Sequence, residues 1–233
     1  MTRSATSSFA PRAEVFPGGS VDAADLDPAW SQLDDGPNLN QQVERCLLVT
    51  AVRETFEECA ILLARDAGGN PCPPHLVAEL APFRHRIQGR NQDVFLAGLQ
   101  AAGLRPGWED LVFYAHWVTP QGLPRRFDTR FFLAALPAGQ KPIQDDPGEL
   151  ESMRWVRPEV ALREAVRGQT LLLPPTRAVL EQLADQPTVA AALQAAKGSR
   201  IQRVQPKLEE ITSIRYPGLD IRAVLGQDPR SER

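Results

Sequence analysis

Residues 53–58 read Arg53-Glu54-Thr55-Phe56-Glu57-Glu58, and the fold is decided by how this stretch is read. On a helix turning about 100° per residue, Glu54, Glu57 and Glu58 fall within one sector about 100° wide. Glu54 and Glu58 are four apart and nearly eclipsed, a like-charge spacing that costs a helix roughly 0.2–0.5 kcal/mol. Arg53 stands four before Glu57 and gives it a cationic neighbour. The Glu54–Glu58 pair has none of its own in the local sequence. A hard divalent cation reverses the sign of that repulsion, because Mg²⁺ and its kind prefer carboxylate oxygens. The competing reading is a solvated acidic face, the usual fate of glutamate clusters on helices.

Working outward, Val43, Leu47, Leu48, Ala51, Thr55, Cys59 and Leu62 recur at helical spacing and predict a long amphipathic helix from Val43 to about Arg65, ended by Gly68-Gly69-Asn70-Pro71. Upstream, Phe16-Pro17-Gly18-Gly19 is a turn whose glycines let backbone approach a ligand or metal closely. Residues 22–42 are rich in Asp, Asn, Gln and Pro and read as a surface excursion. Downstream, helices are expected at Asn91–Ala102, Pro158–Arg167, Pro174–Asp185 and Val189–Lys197. Strands are expected at Leu111–Thr119, Thr129–Leu136 and Ser152–Val156, with strand-like pieces at Ile211–Tyr216. Strands mixed with helices indicate an α/β layered domain.

A glycine turn followed by a helix bearing RExxEE resembles the Nudix hydrolases, whose box reads G-x5-E-x7-R-E-U-x-E-E-x-G-U. Gly19 matches the opening glycine, Asp25 stands where the first glutamate would be, and Arg53, Glu54, Glu57 and Glu58 match the core, with Ile61 at the last aliphatic place. Thr55 replaces the aliphatic residue, Ala60 replaces the glycine, and about twenty extra residues separate Asp25 from Arg53. That insertion and the FPGG turn are similar to the coenzyme-A-diphosphatase-like branch. Further matches are Trp117-Val118-Thr119-Pro120, Arg126–Phe132, Trp155 and Leu173-Pro174-Pro175-Thr176. Upstream, Ser8 and Arg12 stand where the motif of coenzyme-A hydrolases of a related branch has arginine and glycine, which weakens a coenzyme A assignment.

The resemblance implies an α/β/α sandwich with a mixed sheet over residues 1–199, a helical insertion at about 66–108, and a C-terminal extension at 200–233. With only fifteen residues before the turn, the first strand or strands are expected to be missing, or the sheet completed another way. It implies hydrolysis of the pyrophosphate bond of a nucleoside diphosphate linked to another moiety, coenzyme A or acyl-coenzyme A among the candidates. Mg²⁺ or Mn²⁺ would be held by Glu54, Glu57 and Glu58, with Arg53 orienting Glu57. Gly18, Gly19, Arg125 and Arg126 are the candidate substrate contacts, with Arg130 a third guanidinium in the same stretch. The general base is Glu54 or a carboxylate of the stretch Asp145–Glu151. The alternative is a non-catalytic nucleotide-binding or regulatory module.

Composition narrows the partners. The 233 residues are 42% hydrophobic and 24% charged, with net charge −3 and pI near 5.7, against an electrostatic nucleic-acid binder. No apolar run approaches a membrane span, and residues 1–19 lack the apolar core of a secretory signal. Cys46, Cys59 and Cys72 form no CxxC pair, which indicates a reduced, cytoplasmic chain. His75, His85 and His116 lack zinc-ligand spacing, and Cys59 is expected to be a buried hydrophobe. The aromatics Phe113, Tyr114, Trp117, Phe131 and Phe132 are expected in the core. A sheet edge left open by missing strands would favour a homodimer.

Overall fold

A computed structural model describes residues 1–7, 10–33, 43–88, 93–123, 125–143 and 150–212. In chain order the elements are β1 (Thr2–Arg3), β2 (Ala13–Glu14), α1 (Trp30–Leu33), α2 (Arg45–Cys59), β3 (Ala64–Asp66), α3 (Pro74–Leu80), α4 (Arg84–Gln88), α5 (Asp93–Ala101) and β4 (Leu104–Pro106). They continue with β5 (Val112–Val118), β6 (Asp128–Leu133), β7 (Leu150–Ser152), α6 (Pro158–Val166), β8 (Leu171–Leu172), α7 (Pro174–Ala184), α8 (Val189–Lys197), β9 (Arg203–Val204) and α9 (Leu208–Thr212). The chain divides into two compact units. One comprises Met1–Phe16, Tyr114–Phe131 and Asp145–Arg233, the other Pro17–Phe113 and Phe132–Gln144.

In the first unit a four-stranded mixed sheet runs β7-β1-β2-β8. β1 pairs antiparallel with β2 (Thr2 opposite Glu14) and with β7, while β2 pairs parallel with β8 (Ala13 opposite Leu171, Glu14 opposite Leu172). The expectation that the early strands are missing is therefore corrected. The residues before the glycine turn form two short strands, and the argument for a dimer from an edge they would leave open loses its premise. Buried Ala161, Leu172 and Leu180 form the core here, with Phe16, Val156, Leu162 and Ala165 packed on it. A three-stranded sheet runs β6-β5-β9, and β9 lies parallel to β5 with His116 opposite Arg203 and Trp117 opposite Val204.

In the second unit, β3 and β4 pair antiparallel, with α3, α4 and α5 between them in the chain. The core is aromatic: Phe95 lies 6.0 Å from Trp30 and 5.9 Å from Phe56, centroid to centroid, and Trp108, Leu62, Leu99, Val49 and Val52 are buried. Such ring pairs contribute about 0.5–1.5 kcal/mol beyond their buried area.

Several boundaries differ from expectation. α2 ends at Cys59, well before Gly68, because Ala60 turns into the left-handed region (φ 55°) and its N–H caps Phe56 O at 2.8 Å. The 68–71 turn instead closes β3, Gly69 N–H donating to Asp66 O and Asp66 N–H to Asn70 O. The buried stripe of α2 is Val49, Val52, Phe56 and Cys59; Leu47, Ala51 and Thr55 are only half-buried. Residues 22–33 are not a surface excursion, since Asp25 and Trp30 are buried. β7 lies at 150–152, leaving Trp155 72% exposed outside any strand. Ile211 and Thr212 are helical, and 213–216 lie outside the described residues. Phe113, Tyr114, Trp117, Phe131 and Phe132 are half-buried, Phe131 meeting Phe16 edge-on at 6.2 Å.

Candidate active site

α2 carries a second buried stripe beside its apolar one: Thr50, Arg53 and Glu57, at i, i+3 and i+7. A polar stripe can be buried only when its groups bond one another, and Arg53 is the hub. All five guanidinium N–H donors are engaged. Nε donates to Asp25 Oδ1 at 2.8 Å, and Nη2 to Asp25 Oδ2 at 2.9 Å and to Ser20 O at 3.0 Å. Nη1 donates to Glu54 Oε1 and Glu57 Oε1, both at 2.9 Å. Asp25 is held in turn by the Thr50 hydroxyl at 2.7 Å and the Asp22 N–H at 2.9 Å. The expected orienting bond from Arg53 to Glu57 is thus present, and the same guanidinium also holds Glu54 and Asp25.

The glycine turn closes over the acids. Gly18, at φ 152°, donates its N–H to Glu58 Oε2 at 2.8 Å. A Cβ on Gly19 would fall on the Glu54 carboxylate, so glycine there is a packing requirement. The turn and the RExxEE helix therefore meet at two carboxylates.

One guanidinium faces three carboxylates, those of Asp25 and Glu57 buried and that of Glu54 half-buried, leaving negative charge in excess. Burial pushes Glu54 upward against the lowering pull of Arg53, with Asp25 and Asp22 adding repulsion. Burial likewise raises Glu57 to about 7, outweighing the attraction of Arg53, with lesser repulsion from Glu54 and Asp22. Among the described residues no three His, Cys, Asp or Glu side chains stand ready as a metal-holding group. The donor chemistry nonetheless fits a hard divalent cation: clustered carboxylate oxygens with an uncompensated charge that such an ion would offset.

Arg125 and Arg126 belong to the first unit, exposed in the β5–β6 connection, where Arg126 Nε donates to Pro120 O at 3.1 Å and Thr119 O at 3.3 Å. Asp145, Asp146 and Glu149 lie outside the described residues. Glu151 is exposed and accepts the Ala5 N–H at 2.9 Å. Cys59 is buried, its thiol pushed up to about 12 by burial, then by the Glu58 charge.

Three positioning residues escaped the sequence reading. Asp25 was visible only as a spacing match. Buried Arg84, from the helical excursion, donates to Glu57 O at 3.2 Å and Ile143 O at 3.3 Å, bracing the last turn of α2. Gln140 takes the Leu62 N–H at 2.9 Å and donates to Leu62 O at 3.0 Å, pinning the chain after that turn. No local signal marks either of the last two.

Residues 34–183 match the NUDT19 Nudix domain family. The chain belongs to that family. It is 30% identical over 218 residues to the acyl-coenzyme A diphosphatase NUDT19 of Gallus gallus, across 75% of this chain and 57% of that protein. To the Xenopus laevis protein of the same name it is 31% identical over 216 residues, across 75% and 56%. The chain thus spans a little over half the length of the curated relatives it matches. A crystal structure of a Nudix hydrolase from Alicyclobacillus acidocaldarius superposes with a TM-score of 0.67 at 29% identity, covering 85% of this chain and 88% of that one. The α/β Nudix fold expected from the sequence is the fold observed.

Proposed function

We propose that this chain is a Mg²⁺- or Mn²⁺-dependent Nudix hydrolase that splits the pyrophosphate bond of a nucleoside diphosphate linked to another moiety, with coenzyme A and acyl-coenzyme A the first substrates to test. The observation that supports it most is the convergence of Glu54, Glu57 and Glu58 on one guanidinium and one glycine turn. The relatives named as acyl-coenzyme A diphosphatases support the substrate class.

Glu54, Glu57 and Glu58 would hold the cation, which supplies charge neutralisation and polarises a phosphoryl oxygen. The protein's own part is to place these oxygens. Arg53 holds Glu54 and Glu57, and the Gly18 N–H holds Glu58. Glu54, made more basic by burial, is the candidate to take a proton from the attacking water. The departures from the family box do not favour an inactive module, because Ala60 still adopts the left-handed cap and the Thr55 hydroxyl donates to Ala51 O at 2.7 Å. Three cysteines without a CxxC pair support a cytoplasmic setting.

The test is product release from coenzyme A, acyl-coenzyme A, ADP-ribose, NADH and dinucleoside polyphosphates with Mg²⁺, Mn²⁺ or EDTA. Glu54→Gln is expected to abolish turnover while circular dichroism stays unchanged. Unaltered turnover in that variant would remove Glu54 from the mechanism, and binding without turnover across the panel would establish the non-catalytic reading.

A further inference from the structure

One face of the β6-β5-β9 sheet carries a polar strip that the acidic site does not use. Asp128 and Arg130 stand on β6, His116 on β5 and Arg203 on β9. His116 Nε2 donates to Asp128 Oδ1 at 2.6 Å, and Arg130 Nη1 donates to the same oxygen at 2.6 Å and to Asp128 O at 3.3 Å. His116 and Arg203 are register partners in the parallel ladder, so their side chains leave the sheet on the same face. The strip therefore reads guanidinium, imidazole, carboxylate, guanidinium, with cationic charge in excess.

Arg130 is only half used. Asp128 ties Nη1, while Nε is buried and has no hydrogen-bond partner among the described residues. Nε and Nη2 form the forked edge by which a guanidinium takes two oxygens of one oxyanion. A buried donor left unmatched calls for an acceptor. Arg203 is exposed and makes no hydrogen bond or ion pair among the described residues. It comes from beyond residues 34–183, so the C-terminal extension completes the strip.

We propose that Arg130, His116 and Arg203 form a binding site for a phosphate monoester, with Asp128 anchoring Arg130 through Nη1 while a small rotation of the guanidinium uncovers Nε, so that its Nε–Nη2 edge meets the anion. Two guanidinium groups against one carboxylate suit a dianionic monoester better than a singly charged diester. That the phosphate is carried on a nucleotide ligand rests on the functional reading above, whereas the binding chemistry does not.

The full chain in EDTA is titrated with inorganic phosphate and with adenosine 3′-phosphate, following arginine Nε–H resonances and the heat of binding. The Arg130 Nε–H signal is expected to shift with both ligands. Arg203→Ala, an exposed change, and Arg130→Lys, which keeps the charge but loses the fork, should each weaken binding about tenfold. Tighter binding of the nucleotide assigns the group to a nucleotide ligand, and equal binding assigns it to free phosphate; either supports the site. An unmoved Arg130 signal, or wild-type affinity in both variants, overturns it. Because this titration needs no metal, it is independent of the turnover panel: binding here with no turnover in the Mg²⁺ or Mn²⁺ panel would defeat the functional reading alone, and turnover there without binding here would defeat this inference alone.

Discussion

Arg53 and Arg130 have opposite shortages. Arg53 is buried, all its donors are taken, and three carboxylates compete for its single charge. Arg130 is half-exposed, shares one carboxylate oxygen with His116, and keeps a buried donor unmatched. The first region is short of positive charge and suits a cation; the second is short of an acceptor and suits an anion. In both, the protein's own bonds leave a definite remainder, and that remainder gives the chemical class of what would bind.

The sharpest way to break this contrast is Arg53→Met, which strands Asp25, Glu54 and Glu57 together. It is expected to cost about 3–5 kcal/mol, read from urea unfolding, far more than any change to exposed Arg203. Gly19→Ala comes next. Its methyl would displace the end of a flexible side chain, so the fold should survive, but Glu54 moves and metal-dependent turnover should fall about a hundredfold in steady-state assays.

Acidity probes the same imbalance. Glu57 is raised to about 7 in the fold and is ordinary when unfolded, so between about pH 4.5 and 7 the folded state keeps a proton the unfolded state has lost. Stability of metal-free protein should therefore fall as pH rises through that window, on the order of 3 kcal/mol, and level off above it. Thermal unfolding across the range should show the slope flattened in Glu57→Gln and reduced by Mn²⁺. The smallest effects belong to backbone strain. Arg12 (φ 60°) and Ala60 (φ 55°) both occupy the left-handed region, at positions where the family resemblance expects glycine. Arg12→Gly and Ala60→Gly should each raise the denaturation midpoint slightly, by less than about 1 kcal/mol, the Ala60 gain being smaller because it empties a buried methyl site.

The RExxEE helix was legible because spacing alone puts its acids on one side, and the regular helices α5 to α8 announced themselves by apolar period, proline starts or glycine stops. What was not legible has physical reasons. β1, β2, β8 and β9 are two residues each, too short to show alternation, and β2 finds its parallel partner far along the chain at Leu171–Leu172. Trp30 and Asp25 lie in a segment without periodicity, because each is buried through its own side-chain contacts and not as part of a face. The stripe of α2 was misjudged because a helix with both an apolar and a hydrogen-bonded buried stripe has no clean hydrophobic side. Arg84 and Arg130 look like any surface arginine until the fold shows what their nitrogens meet.

The bonds that Asp25 accepts from Thr50 and Arg53 span the extra residues inserted into the box. Both ends of that insert are thus moored independently of its content. Doubling the length of such a loop costs only about 0.6 kcal/mol in closure entropy. The position works as a cassette: evolution, or a designer, can exchange what lies between the moorings without disturbing the acids next door.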